Sequence, residues 1–121
     1  MRIPAGTRDV TPPARPLDRK RIAADFAAAV NMDAGELEAW LETPESLRVG
    51  FKSDGGESVG HASGRRIVGL LRRGPANDDD YAHMRRTVGF VRRHRAQEPA
   101  NMVSSRWRYS LMNWGHDPLR S

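Results

Sequence analysis

Four histidines, His61, His83, His94 and His116, are the residues of this chain best suited to proton transfer or metal binding. Two histidines hold a metal from one helix when they stand four apart, as in His-Glu-x-x-His. No pair here has that spacing. Cysteine is absent, which excludes thiolate zinc sites, thiol nucleophiles and disulfides. His116 and Asp117, with Ser63 or Ser110, supply the residue types of a Ser-His-Asp triad. Adjacency in sequence does not build one, since a triad is defined by geometry and roles. The reading is therefore no catalytic constellation, no metal site and no cofactor.

The arginines say more. Eighteen of the twenty basic residues are Arg. Eight fall in adjacent pairs: Arg65 with Arg66, Arg72 with Arg73, Arg85 with Arg86, and Arg92 with Arg93. Within each stretch the second pair follows the first by two helical turns, so equivalent members share a face. If the two helices pack antiparallel, the pairs merge into one basic face, with Arg95 extending it. Guanidinium groups present a rigid bidentate fork to phosphate oxygens, so such a face suits a duplex backbone. A solvated charged surface is the plainer alternative. The choice of Arg over Lys also follows from GC-rich coding.

A second candidate is the junction Gly60-His61-Ala62-Ser63-Gly64 ahead of Arg65 and Arg66. Glycines before a helix expose backbone N–H groups, and the positive end of the helix dipole attracts anions. Gly60, His61, Ser63 and Gly64 are thus expected to grip a phosphate. The same glycines equally suit a capped helix that a neighbour approaches closely. A third feature is the cluster Trp107, Tyr109 and Trp114. Aromatic rings beside arginines stack on unpaired bases, but Trp107 and Trp114 share a helical face with Leu111 and read as core. Tyr109 points elsewhere and is the surface candidate.

The elements that position these residues are helical. Ile22, Phe26 and Val30 recur every four residues, which predicts a helix from about Leu17 to Val30. Asp33 and Glu36 form a capping box for a helix bearing Leu37, Trp40 and Leu41. Thr43-Pro44 starts a short turn through Leu47. Residues 49–64 are glycine-rich and read as a long loop. Ser63 then caps a helix over about 64–73 with Ile67, Leu70 and Leu71 inward, stopped by Gly74-Pro75. Asn77, or an aspartate just after it, caps the longest helix, to about Arg95. Tyr81, Met84, Val88 and Val91 form its apolar stripe. A last helix over about 104–113 places Val103, Trp107, Leu111 and Trp114 on one face, with Gly115 as a left-handed cap. The fold class is all-α, a small bundle of about four helices plus a short turn. Residues 1–16, with four prolines, read as a disordered arm, and 17–118 as one domain.

The chain has 121 residues and a net charge of +5. Residues 1–60 hold eight basic and ten acidic side chains; residues 61–121 hold twelve and five. That asymmetry favours an anionic partner. No apolar run is long enough to span a bilayer, and the N-terminus lacks a secretory signal's apolar centre. A cytoplasmic protein is expected, associated with the nucleoid if DNA is its ligand.

The strings GGESVGHASGRRIVGLL, DYAHMRRTVGFVRRHRAQ and SRWRYSLMNWGHDP, with NMDAGELEAWLETPESLRVG before them, resemble an uncharacterised family of small bacterial and fungal proteins. The family is a domain of unknown function, and some bacterial members carry the label DNA-binding protein. The resemblance covers about residues 22–118 and implies no catalytic residues. The main expectation is sequence-tolerant DNA binding through the paired arginines, with RNA as a variant. The alternatives are a module for an acidic partner protein, or an enzyme that holds a phosphorylated small molecule in the glycine-rich stretch.

Overall fold

A computed structural model describes residues 17–49, 56–100 and 105–120. Residues 1–16, expected to be a disordered arm, residues 50–55 of the expected loop, and Val103 lie outside the described residues. Six helices and no strand occur among them: α1 (Arg19–Ala29), α2 (Ala34–Leu41), α3 (Pro44–Arg48), α4 (Val59–Arg73), α5 (Asp78–Arg95) and α6 (Arg106–Asn113). The architecture is all-α, as the apolar periodicity predicts. No helix of the described residues is long and apolar enough to cross a membrane.

Each helix opens on a side chain that accepts from the third amide beyond it. Asp18, Asp33, Thr43, Ser58, Asn77 and Ser105 fill this role. Such caps satisfy amides that have no intrahelical acceptor. Asp33 and Glu36 complete the expected capping box in both directions. In α5 the acidic first turn and the basic last turn both match the helix dipole.

Packing is by pairs. α5 lies chiefly against α1, and α4 against α2, while α6 reaches α2, α3, α4 and α5. The core joins Ile22, Phe26, Leu37, Leu41, Ile67 and Val88 with Trp114 at its edge. Leu71, expected inside, is 36% exposed, and Val68 takes its place in the core.

The largest departure from expectation is the start of α4. It begins at Val59, not Gly64, because Ser58 and not Ser63 is the cap, accepting from the His61 amide at 3.1 Å. Glycine in a helix interior forfeits about 1 kcal/mol relative to alanine. Here the loss is offset by close approach. A Cβ on Gly64 would stand 2.4 Å from the Asn113 carbonyl oxygen and 2.7 Å from Leu41 Cδ2. One on Gly60 would stand 3.1 Å from Trp114 Nε1. The glycines let α6 cross α4 at near-backbone contact.

The turn after α6 closes the molecule. Gly115 has φ +83°, as its left-handed cap requires. Its carbonyl accepts from the Asn31 and Met32 amides at 3.1 and 3.2 Å. The Asn31 side chain accepts from the Asp117 amide at 2.8 Å and donates to the carbonyls of Asp117 and Arg120 at 3.0 and 3.1 Å. Asp117 in turn holds Arg108 at 3.2 Å. The NWGHDP string is thus a clip on the α1–α2 link.

Candidate nucleic-acid interface

The expected phosphate junction does not sit at a helix end. Gly60, His61, Ser63 and Gly64 are buried inside α4. His61 Nε2 donates to the Leu41 carbonyl at 2.7 Å, and its Nδ1 meets the Glu57 carboxylate. Arg65 binds the same carboxylate through Nε and a terminal nitrogen at 2.7 and 2.6 Å. The Arg65 guanidinium, followed by the His61 ring, holds the Glu57 carboxyl down at about 2. These groups satisfy one another and α2. A Gly-x-Ser-x-Gly spacing does occur at Gly56–Gly60. Its serine is the 1% exposed cap of α4 and follows no strand in the described chain, so it is not a presented nucleophile.

The eight paired arginines divide over three faces. Neighbouring helical residues point about 100° apart, so each pair splits. Arg72 turns to α2, where Glu38 takes it at 2.9 and 3.2 Å, and Arg65 is held by Glu57. Arg92 lies 3.6 Å from Asp25 of α1, and Arg85 lines the same α1–α5 cleft with Asp18 and Asp25. The single continuous face is therefore corrected. α4 and α5 each have a different principal neighbour, and one member of every pair turns towards it.

Three of the other four members, Arg66, Arg86 and Arg93, converge. Arg66 binds Asp80 at 3.1 Å, and the charge of Arg73 also acts on Asp80. Arg66 and Arg86 line one cavity of about 370 Å³. Arg86 and Arg93 line an adjoining cavity of about 400 Å³. The two share Val59, Arg86 and Trp114. The result is a groove bordered by α4, α5 and α6. Arg86 and Arg93 have no ion pair to a described carboxylate.

His83 forms part of the groove wall and is 5% exposed. Its Nδ1 faces the Arg86 guanidinium at 3.4 Å and its Nε2 faces Ser63 Oγ at 2.9 Å. Arginine only donates, so Nδ1 accepts and Nε2 carries the proton. That tautomer does not take a proton from Ser63, and the third group is a cation where a triad has a carboxylate. Ser63 and His83 are thus no hydrolytic dyad. Burial, then Arg66 and Arg86, push the His83 ring down to about 4.

A stability prediction follows from that shift. Unfolded His83 titrates at about 6.5, so between pH 6.5 and 4 the unfolded chain binds a proton that the native ring refuses. The stabilisation is complete above pH 6.5 and is lost as pH falls through 4. About 2 kcal/mol should be gone by pH 5. His83→Gln should flatten this decline in melting temperature. His116, also lowered chiefly by burial, keeps its own share. An unchanged profile in the variant would disprove the assignment. Glu57 acts separately, below about 4.5.

Among the aromatics, Trp114 is buried, as expected of a core residue. Trp107 is half-buried and donates from Nε1 to the His94 carbonyl. Tyr109, the expected surface contact, is half-buried against Trp40 with ring centres 5.4 Å apart. The groove's exposed-side aromatic is one the sequence reading passed over. Phe90 stacks on Trp114 at 4.4 Å and on His94 at 3.8 Å. Its signal was available, since Phe90 lies off the Tyr81, Met84, Val88 and Val91 stripe and between Arg86 and Arg93. No group of acidic and histidine side chains among the described residues is placed to hold a metal.

Fold and groove together define a small all-α domain with an arginine-rimmed, aromatic-walled cleft. The chain belongs to the family described as protein of unknown function (DUF3140), whose model matches residues 25–112. No curated protein and no solved structure matches the chain.

Proposed function

We propose that this domain binds nucleic acid, DNA above all, through largely sequence-independent phosphate contacts. The observation that carries the reading is the convergence of Arg66, Arg86 and Arg93 on one groove, with the charge of Arg73 acting on Asp80, the partner of Arg66. Arg86, which faces the His83 ring, and Arg93 meet no described carboxylate and can take phosphate directly. The Arg66–Asp80 pair is exposed at its arginine, and such pairs are worth about 0–1 kcal/mol, so a phosphate can displace the carboxylate. A DNA ligand would place the protein at the nucleoid.

The test is fluorescence anisotropy of a labelled random-sequence duplex over a range of salt. Four phosphate contacts give a logarithmic salt slope of about −4. Changing Arg66, Arg73, Arg86 and Arg93 to Ala should bring that slope near zero. The double change of Arg65 and Arg72 to Ala should leave most of it, because those groups serve Glu57 and Glu38. Equal losses in both variants would overturn the geometry. No binding at low salt would overturn the function and turn attention to an acidic partner protein, which the basic groove would also suit.

A further inference from the structure

The two adjoining cavities differ in chemistry. The one around Phe90, His94 and Trp114 is walled by stacked rings, with Arg93 at its side. The one around Ser63, His83 and Arg66 is polar. Its carboxylate, Glu57, is already held by Arg65 and His61. Arg86 belongs to both. At their shared mouth Val59 is 59% exposed, an apolar side chain that the core does not use. A volume of about 400 Å³ lies within the range of small-ligand sites.

We propose that this cleft takes one unpaired nucleotide, and that the protein therefore prefers single strands to duplex. The inference rests on the nucleic-acid reading above. The base enters the aromatic lobe and packs on Val59 and against the edge of Phe90, whose two faces are covered by Trp114 and His94. The attached phosphate lies between Arg86 and Arg66 in the polar lobe. Aromatic walls gain from a base face of any sequence, which fits a site without a dedicated set of base-edge donors. A paired base keeps both faces in the helical stack and cannot enter.

The experiment compares a labelled oligothymidine with a duplex of equal length at one fixed salt concentration. Single strand should bind about tenfold more tightly, the scale of one edge-to-face aromatic contact. Phe90→Leu should abolish the preference and leave duplex affinity in place. Since Phe90 also touches Trp114, Val59→Glu provides a second variant at an exposed first-turn position, where a carboxylate suits the helix. It should weaken single-strand binding at least as much with an unchanged melting temperature. Equal affinity for the two forms, or a preference untouched by both variants, overturns the cleft and leaves the phosphate reading standing. Binding of neither form overturns both.

Discussion

Asn113→Ala is expected to lower unfolding stability by about 4 kcal/mol. Asn113 is 1% exposed and sits where α6 meets α2 and α3. Its Oδ1 accepts from Trp40 Nε1 at 2.7 Å and from Ser46 Oγ at 2.5 Å. Its Nδ2 donates to the Ser46 carbonyl at 3.1 Å. The amide orientation is fixed because the indole can only donate. Alanine removes all three partners at once. The indole N–H and the Ser46 groups are left without partners, and each buried orphan is worth about 1–3 kcal/mol. Urea unfolding of Asn113→Ala, Ser46→Ala and the double variant measures it. The cycle should return a coupling above about 1 kcal/mol for two side chains in direct contact. Additive effects would show that Asn113 and Ser46 act independently.

Gly64→Ala is the companion case. A new Cβ would lie 2.4 Å from the Asn113 backbone oxygen, and backbone cannot swing aside as a side-chain tip can. α4 and α6 must separate, which costs about 3 kcal/mol by analogy with overpacked cores. Gly69 provides the control in the same helix. A Cβ there meets only the Arg73 guanidinium, at 2.4 Å, and that group can move. Gly69→Ala should stabilise by about 0.5–1 kcal/mol through helix propensity. If the two substitutions shift the urea midpoint alike, glycine at position 64 is not there for interhelical contact.

These two sites also mark where sequence reading stops. Local signals were legible because their causes are local. Asp33 with Glu36, Thr43 before Pro44, and Gly115 after Asn113 each satisfy backbone groups a few residues away. The apolar spacing of Ile22, Phe26 and Val30 placed a buried stripe for the same reason. The stretch from Ser58 to Gly64 misled because glycine is a loop residue by propensity. The reason it is helical here lies on α6, about fifty residues along the chain, in a contact no local pattern announces. The arginine pairs failed to form one face for a related cause. Their heptad spacing was right, but which side of each helix is free depends on whether α1 or α2 covers it. That division left Arg66, Arg86 and Arg93 together on one groove. Phe90 and Val59 were missed because an aromatic wall and an apolar rim acquire meaning only when two cavities meet.

The clip formed by the turn after α6 has a temporal consequence. Asn31 bonds to residues 86 and 89 positions further on, so the α1–α2 link cannot reach its final place until that turn exists. During synthesis Val30 and Ile67, which flank Gly115, wait without their cover. Loops this long close slowly relative to helix formation. The helices of this protein can therefore form before the clip does, and the α1–α2 link is fastened only when Gly115 and Asp117 arrive against Asn31.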